Sequence, residues 1–156
     1  MIRRACYEDA DEILEVIVKT NRVFFSKIIP KEYFKDPVLT KEELLREMKN
    51  IEFYVYELEG KIIGVSGLSI EDREIGVVRR VYVLPEYQRR GIGTALLRHI
   101  ENIAKRRGLR TLKIRTSEKA FWAISFYRKL GYKVSGKIRV PWGHDVVFTK
   151  ELENHI

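Results

Sequence analysis

The 156-residue sequence has little or nothing of several features that mark specialised protein classes. Its one cysteine, Cys6, allows neither an internal disulfide nor a cysteine metal cluster, and no metal site is predicted. No apolar run reaches the ~20 residues that a membrane-spanning helix needs, so no membrane partner is expected. The N-terminus, Met1-Ile2-Arg3-Arg4, lacks the apolar core of a signal peptide, which leads us to expect a cytoplasmic protein.

The sequence also lacks repeats, low-complexity segments and an interdomain linker. We therefore predict a single domain over residues 1–156, large enough to bury roughly two-thirds of its unfolded surface. Cys6 is expected to be a small core residue of the first strand. A nucleophilic role for Cys6 is not expected, because nothing in the sequence places a base beside it.

The charge balance is strongly basic, with a formal net charge of +8 at pH 7. One interpretation is attraction to polyanions, including nucleic acid, which would give a salt-sensitive affinity. A small phosphate-rich ligand explains the charge as well, so nucleic acid is not the expected partner. Glutamine occurs once, at Gln88, whereas lysine and glutamate are abundant, a bias that resembles thermophile composition.

The rest of the chain is organised around residues 81–97. Val81-Tyr82-Val83 is typical of a strand, and Pro85 then ends the ladder because proline has no N–H to donate. Residues 88–93, Gln-Arg-Arg-Gly-Ile-Gly, predict a short basic turn. From Thr94 the pattern is helical, with an apolar face made of Leu96, Leu97, Ile100, Ile103 and Ala104.

A glycine turn between a strand and a helix can bind an anion, and we call residues 88–94 the cradle. The first N–H groups of a helix have no partner within it, and the helix dipole points its positive end there. Gly91 and Gly93 lack a Cβ, so a phosphate can approach the backbone closely. Arg89 and Arg90 add permanent positive charge. The pattern is neither a P-loop nor the three-glycine dinucleotide fingerprint. The alternative to an anion site is a tight turn that binds no ligand.

The flanking segments predict a mixed α/β domain. Two capping-box patterns, at residues 9–12 and 40–43, indicate two helix starts. Glu59-Gly60 indicates a hairpin, and Pro141-Trp142-Gly143 the tip of a closing hairpin. The strand from Thr111 should be parallel to its predecessor by the crossover rule. The predicted strands cover residues 2–6, 53–58, 61–69, 75–83, 111–115, 133–139 and 145–150.

Residues 120–132 carry a second pattern, which contains Ala123-Ile124-x-Phe126-Tyr127-x-x-Leu130-Gly131-Tyr132. The spacing predicts a helix over 120–130 that ends at Gly131. One face of this helix carries Ala120, Ala123, Ile124 and Tyr127, so the Tyr127 ring should lie over the sheet. An aromatic residue on such a face is usually part of the core.

The two motifs together resemble those of the GNAT acetyltransferase superfamily. Gln88-x-x-Gly91-x-Gly93 is similar to its acetyl-CoA signature, and residues 123–132 are similar to its A-x-x-F-Y-x-x-x-G-F/Y element. The resemblance covers residues 75–132 and extends loosely to the first strand and helix. It implies one α/β GNAT-type acyl-CoA N-acyltransferase domain, whose mostly antiparallel central sheet has a parallel pair at the CoA cleft.

The resemblance implies acetyl-CoA as cosubstrate, with the CoA pyrophosphate held by backbone N–H groups of the cradle. Many members carry an asparagine that contacts CoA at the position of Ala120. Alanine cannot make that polar contact, so we consider Ser117 or Glu118 as the residue that makes it instead. The residues assigned to CoA binding are Val81, Tyr82, Val83, Gln88, Arg89, Arg90, Gly91, Ile92, Gly93, Thr94, Glu118, Ala120 and Tyr127.

The reaction implied is direct transfer of an acetyl group to a primary amine in a ternary complex. The backbone N–H of Val83 would stabilise charge that develops on the thioester oxygen. The hydroxyl of Tyr127, which the family places by the CoA sulfur, would protonate the departing thiolate as a general acid.

The general base stays open at the level of sequence. Where some members carry a glutamate, this sequence has Val77 or Lys113, so it departs from both family patterns. Glu74, Glu118 and His144 are candidates by polarity and rough position, each with a solvated surface group as the alternative. A bound water, or an acceptor that arrives deprotonated, would serve equally well.

The acceptor is also open, because this superfamily acetylates protein N-termini, lysines, polyamines, amino acids and aminoglycosides. We expect an amine on a small molecule or peptide, and a monomer or homodimer. Residues 24–39 and the Trp142-Gly143-His144 tip are expected to frame the acceptor pocket, although their aromatics are as well explained as cover for the sheet. The alternative function is a module that binds or senses acetyl-CoA without turnover.

Overall fold

A computed structural model describes residues 1–153 as an α/β protein. Its strands are β1 (Ile2–Arg4), β2 (Glu52–Leu58), β3 (Lys61–Ile70), β4 (Ile75–Val83), β5 (Thr111–Ser117), β6 (Lys133–Val140) and β7 (Gly143–Glu151). Its α-helices are α1 (Ala10–Phe24), α2 (Lys41–Glu47), α3 (Ile92–Arg106) and α4 (Phe121–Lys129). Short 3₁₀ turns cover Tyr7–Asp9, Phe25–Lys27 and Pro85–Tyr87.

The strands form a seven-stranded mixed sheet in the order β1-β2-β3-β4-β5-β7-β6. β4 and β5 pair in parallel, with Ile75–Val77 opposite Thr111–Lys113, because α3 returns the chain in a crossover. The pairs β1–β2, β2–β3, β5–β7 and β6–β7 are antiparallel. The predicted fold class, a largely antiparallel sheet with a parallel pair, is confirmed.

The described chain divides into two compact units, one of Met1–Ser69 with Val78–Ile100 and one of Ile70–Val77 with the residues from Glu101 to Glu153. In the first unit, α1 buries Ile13, Val16 and Ile17 at the spacing that its sequence pattern predicts. They pack in one cluster with Phe53 and Val55 of β2. Each such side chain contributes on the order of 1.5–3 kcal/mol on full burial, so the burial of this cluster stabilises the unit.

The core of the second unit includes a buried carboxylate. Glu101 is 3% exposed, and its Oε2 accepts hydrogen bonds from Tyr132 Oη at 2.8 Å and Lys150 Nζ at 3.1 Å. The Lys150 ammonium also donates to the carbonyl of Leu130 at 2.8 Å. Since a buried charge is costly unless paired and hydrogen-bonded, this network ties α3 to the closing hairpin and to the end of α4.

The two predicted hairpins are confirmed. Glu59 and Gly60, with φ of 51° and 78°, connect β2 to β3 in the left-handed conformation that a two-residue hairpin turn requires. Val140 and Gly143 pair across the closing hairpin, which leaves Pro141 and Trp142 at its tip. Within residues 1–153, the helices are too short or too polar to cross a membrane.

Of the two predicted capping boxes, one is confirmed and one is wrong. Thr40 Oγ1 accepts from the Glu43 N–H at 3.2 Å, and Glu43 accepts in return from the Thr40 N–H at 3.0 Å. Asp9, by contrast, makes no cap bond to α1, because a 3₁₀ turn precedes that helix. Its carboxylate instead accepts from the N–H of Cys6 at 2.9 Å. Glu12 accepts from the N–H of Ile62 at 3.1 Å, which ties α1 to β3.

The prediction that Cys6 is a core residue is also wrong. Cys6 is exposed, because β1 ends at Arg4 and Cys6 is the N-cap residue of the 3₁₀ turn Tyr7–Asp9. Hydrogen bonds to the carboxylates of Glu8 and then Asp9 raise the pKa of its thiol. A raised pKa reduces the thiolate fraction at neutral pH.

Asp9 should make the protein more stable at neutral pH than in acid. Both of its carboxylate oxygens accept from the Arg3 guanidinium at 2.8 Å, which lowers the pKa of Asp9 well below its usual range. A lowered pKa stabilises the fold fully above about pH 3.9, the unfolded value. That contribution declines as the pH falls below this value and is lost when the carboxylate is protonated in the folded protein as well. We expect Asp9→Asn to lower the free energy of unfolding by about 1–2 kcal/mol at pH 7.

Urea unfolding of the wild type and Asp9→Asn at pH 7 and at pH 3 measures this contribution. The difference between the two proteins should shrink at pH 3. Asp11→Asn is the matched control, since the Asp11 side chain is 76% exposed and its ion pair with Lys41 is worth little. An equal difference at both pH values would show that the Arg3–Asp9 pair is not responsible.

Candidate active site

The cradle begins where β4 ends, in the first unit. The N–H of Leu84 donates to the carbonyl of Ile63 at 2.9 Å, and the chain then turns through Pro85–Tyr87. Helix α3 starts at Ile92, two residues before the predicted start at Thr94. Gly93 and Thr94 therefore lie in the first turn of the helix, where N–H groups have no partner within the helix. The first helical bond runs from the N–H of Ala95 to the carbonyl of Gly91 at 3.0 Å.

Gln88 ties the cradle to the strand. Its side-chain Nε2 donates to the carbonyl of Val83 at 2.9 Å. The same carbonyl accepts from Thr20 Oγ1 of α1 at 3.4 Å. These bonds fix the orientation of the peptide that follows Val83, so the contact of Gln88 in this structure is with the protein backbone. The role of the Val83 N–H toward a thioester oxygen stays a prediction.

The cradle needs glycine at position 91. Gly91 has φ of +79°, and a Cβ added there would meet no atom within 4 Å, so the space in front of the turn is open. Arg89 also has a positive φ, 65°, which is uncommon for a residue with a side chain. The turn thus presents bare backbone toward open space, and this geometry fits a phosphate group.

The charge of the cradle is positive. Arg89 and Arg90 are exposed, and the Arg90 guanidinium lies 5.3 Å from the centre of the Tyr87 ring. Lys61 Nζ lies 5.9 Å from the same ring. Cations near the face of an aromatic ring are attracted to it, so Tyr87 holds these two positive groups close to the turn. Helix dipole, open N–H groups and cations together suit a diphosphate.

β4 has an irregular backbone conformation just before residues 81–83, and the sequence gives no sign of it. Arg80 has φ of 56°, although arginine has no preference for the left-handed region. Two hydrogen bonds from its guanidinium to Glu47 of α2, at 3.2 and 2.7 Å, hold it there. Such a kink changes the direction of the strand and of the N–H groups that follow, at residues 81–83.

Phe25, an aromatic residue of the segment 24–39, lies beside the end of β4. The Phe25 ring makes an edge contact with Tyr82 at a centroid distance of 6.4 Å. Phe25 therefore covers part of β4, whereas Tyr33 of the same segment is 47% exposed. Their expected role as a wall of the acceptor pocket stays a prediction.

Tyr127 lies in the second unit, on the buried face of α4. It is 6% exposed and packs against the rings of Phe126, Tyr132 and Phe148, at centroid distances of 5.4, 6.2 and 5.8 Å. Ala120 immediately before α4 is fully buried, as the predicted helical face requires. The ring of Tyr127 is therefore well fixed by its neighbours, and its role as an acid stays a prediction.

The three candidate bases have different surroundings. Glu118 and His144 are in contact, because Glu118 Oε2 accepts from the His144 N–H at 2.6 Å and lies 3.5 Å from its Nδ1. Glu74 lies elsewhere, just before β4, with its side chain 65% exposed and 3.9 Å from Arg110. Ser117 Oγ accepts from the N–H of Lys119 at 3.2 Å. A contact of Ser117 or Glu118 with CoA stays a prediction.

The family assignment agrees with this geometry. A family model described as the acetyltransferase (GNAT) family matches residues 14–132. The chain therefore belongs to the GNAT acetyltransferase family.

Similar proteins are N-acetyltransferases. The chain is 32% identical to an uncharacterised N-acetyltransferase of Methanocaldococcus jannaschii over 85% of its own length and 60% of that protein. It is 34% identical to an amino-acid acetyltransferase of Pseudomonas putida over 90% of its length, but spans 29% of that relative. The solved PaiA N-acetyltransferase of Thermoplasma acidophilum, in complex with coenzyme A, is 26% identical with a TM-score of 0.84, covering 97% of this chain and 98% of that one.

Proposed function

We propose that the protein transfers the acetyl group of acetyl-CoA to a primary amine by direct attack in a ternary complex. The observation that carries this proposal is the open, basic turn at the start of α3, which Gln88 ties to the end of β4. Acetyl-CoA supplies an activated acyl thioester and a diphosphate by which it is held. The related protein of Thermoplasma acidophilum binds coenzyme A, which supports the same ligand here.

The residues of the cradle bind the diphosphate. The N–H groups of Ile92, Gly93 and Thr94 point out of the start of α3 and donate to phosphate oxygens. Arg89 and Arg90 neutralise the charge of the phosphates. Val81 and Tyr82, at the end of β4, contact CoA. The N–H of Val83 donates to the thioester oxygen, where negative charge develops during attack.

Tyr127 protonates the sulfur as it departs. Its ring is held by aromatic neighbours, which would keep the hydroxyl in a constant position. A thiol has an ordinary pKa near 8.5, so at neutral pH a proton donor helps the sulfur to leave. Glu118 and Ala120, which precede α4, are the remaining residues that we assign to CoA contact.

A thiol-release assay tests the proposed function. Acetyl-CoA is incubated with the protein and one amine at a time: an alanine-initiated peptide, a lysine peptide, spermidine, glutamate or kanamycin. We expect thiol release that depends on one class of amine, with the product heavier by one acetyl group in mass spectrometry. Omitting the amine gives the background of simple hydrolysis.

Calorimetry with acetyl-CoA separates the enzyme from the alternative, a module that binds or senses acetyl-CoA. Binding together with amine-dependent release supports the transferase. Tight binding with no release on any amine of the panel would favour the sensor instead. Neither binding nor release would contradict both proposals.

A further inference from the structure

The loop after β5 is fastened to the tip of the closing hairpin by one carboxylate. The N–H of Glu118 donates to the carbonyl of His144 at 3.0 Å, and the N–H of His144 donates back to Glu118 Oε2 at 2.6 Å. Gly143 makes this possible, because a Cβ at that position would lie 2.6 Å from the same oxygen. The carboxylate thus occupies space that any other residue at position 143 would fill.

This arrangement also orients the His144 ring. Glu118 Oε2 lies 3.5 Å from Nδ1, so the ring presents Nδ1 to the carboxylate and Nε2 away from it. A carboxylate on one ring nitrogen favours the N–H on that side and leaves the other nitrogen as a proton acceptor. The His144 side chain is 46% exposed, so an acceptor molecule can reach the ring.

The pair lies where a ligand is expected. In open α/β sheets, ligands bind outside the carboxyl ends of parallel strands. β5 is parallel to β4, and Glu118 directly follows the carboxyl end of β5. His144 lies on β7, which pairs with β5 up to Ser117 opposite Asp145.

We infer that His144 is the general base of acetyl transfer and that Glu118 is its positioning residue. This inference rests on the proposed function, because it assigns a proton acceptor for that reaction. Some family members use a glutamate for this step, but this sequence has Val77 and Lys113 at the two corresponding positions. His144 Nε2 takes a proton from the ammonium of the acceptor, which frees the nitrogen lone pair for attack.

The protons balance in this sequence. The ammonium gives one proton to His144, the C–N bond forms, and the C–S bond breaks with its electron pair on sulfur. The new amide nitrogen loses a second proton while the sulfur gains one, which leaves a net release of one proton to solvent. The Glu118 carboxylate stabilises the imidazolium while it carries the proton.

Other charged groups also act on the ring. Arg139 is directly opposite His144 on β6, so the two side chains leave the same face of the hairpin and the guanidinium opposes an imidazolium. Asp145, next to His144, is paired with Arg115 of β5 at 2.7 Å, so this ion pair adds little net charge. Glu118 is therefore the carboxylate that faces the ring directly, with its Oε2 3.5 Å from Nδ1.

The kinetic test uses the panel amine that reacts fastest with the wild type. We expect His144→Gln to lower kcat/KM at pH 7 by about 10²-fold or more, the range of general bases. The acid limb of its pH–rate profile should disappear, and added imidazole should restore part of the activity of His144→Ala. Glu74→Gln is the control, because it removes the third candidate base, which directly precedes β4. This variant should behave as wild type.

The second readout does not depend on turnover. Long-range ¹H–¹⁵N spectra report which imidazole nitrogen carries the proton, with His144 assigned by its absence in His144→Gln. The neutral ring of the wild type should carry it on Nδ1, which faces the carboxylate, and Glu118→Ala should lose this preference. The same variant should lower kcat more than it changes the KM of the amine, because the base is no longer held in one orientation.

The outcomes separate the base from the function itself. An active wild type whose His144→Gln variant keeps its rate and acid limb would overturn the base and leave the transferase intact. An unchanged Nδ1–H preference in Glu118→Ala would overturn the role of Glu118. A wild type that is inactive on every amine of the panel would overturn the proposed function and the base with it.

Discussion

Tyr127→Phe should lower kcat by about 10²-fold or more while leaving the affinity for acetyl-CoA nearly unchanged. The substitution removes only the hydroxyl, so the packing of the ring on Phe126, Tyr132 and Phe148 should persist. Binding of acetyl-CoA requires no proton transfer, so its Kd should move little. Steady-state kinetics at saturating amine, together with calorimetry, measure the two quantities separately.

Tyr132→Phe is the matched control for this variant. It also removes one buried hydroxyl, and that hydroxyl donates to Glu101 at 2.8 Å, so stability should fall while kcat does not. An unchanged kcat in Tyr127→Phe would make Tyr127 a core aromatic, or the thiolate a leaving group that needs no acid. A large loss of affinity with normal kcat at saturation would make it a binding residue.

Gly91→Glu should abolish the stabilisation of the protein by CoA. A ligand present at 100 times its Kd stabilises the native state by about 2.7 kcal/mol. For a chain of this size that is a rise in Tm of roughly 5–10 °C. The glutamate would put a side chain and a negative charge into space that is open in front of the cradle. Thermal melts with and without CoA measure the change.

Gly108→Glu, just after the other end of α3, is a close control. Gly108 has φ of +77° against +79° for Gly91, and neither glycine has a neighbour within 4 Å of an added Cβ. The two variants therefore share backbone strain and charge but differ in location, and only Gly91→Glu should lose the response to CoA. A folded Gly91→Glu protein that still responds as wild type would show that the cradle does not bind CoA.

The structure differs from sequence expectation where a residue's hydrogen-bond partner lies outside the motif that contains it. Asp9 has the right residue type for a helix cap, but a guanidinium on β1 and the N–H of Cys6 compete for its carboxylate. Arg80 lies in a left-handed conformation that its residue type does not favour, held by Glu47 of α2. In both cases a side-chain partner outside the recognised motif decides: Arg3 lies six residues before Asp9, and Glu47 lies 33 residues before Arg80.

The sequence by itself determined the cradle and the strands around it. Period-two and helical patterns, a proline stop and two glycines act through local backbone chemistry, so residues 81–97 could be placed before the fold was known. The two motifs were also sufficient to indicate the family.

Only the tertiary structure decided which polar residues meet. Glu118 and His144 are 26 residues apart in sequence and are brought together by β5–β7 pairing and by the missing Cβ of Gly143. Gln88 turns its amide onto Val83, and Glu101 is buried between Tyr132 and Lys150. Such contacts arise from the path of the chain through the sheet, because a side chain's partner is set by pairing register and packing rather than by its neighbours in sequence.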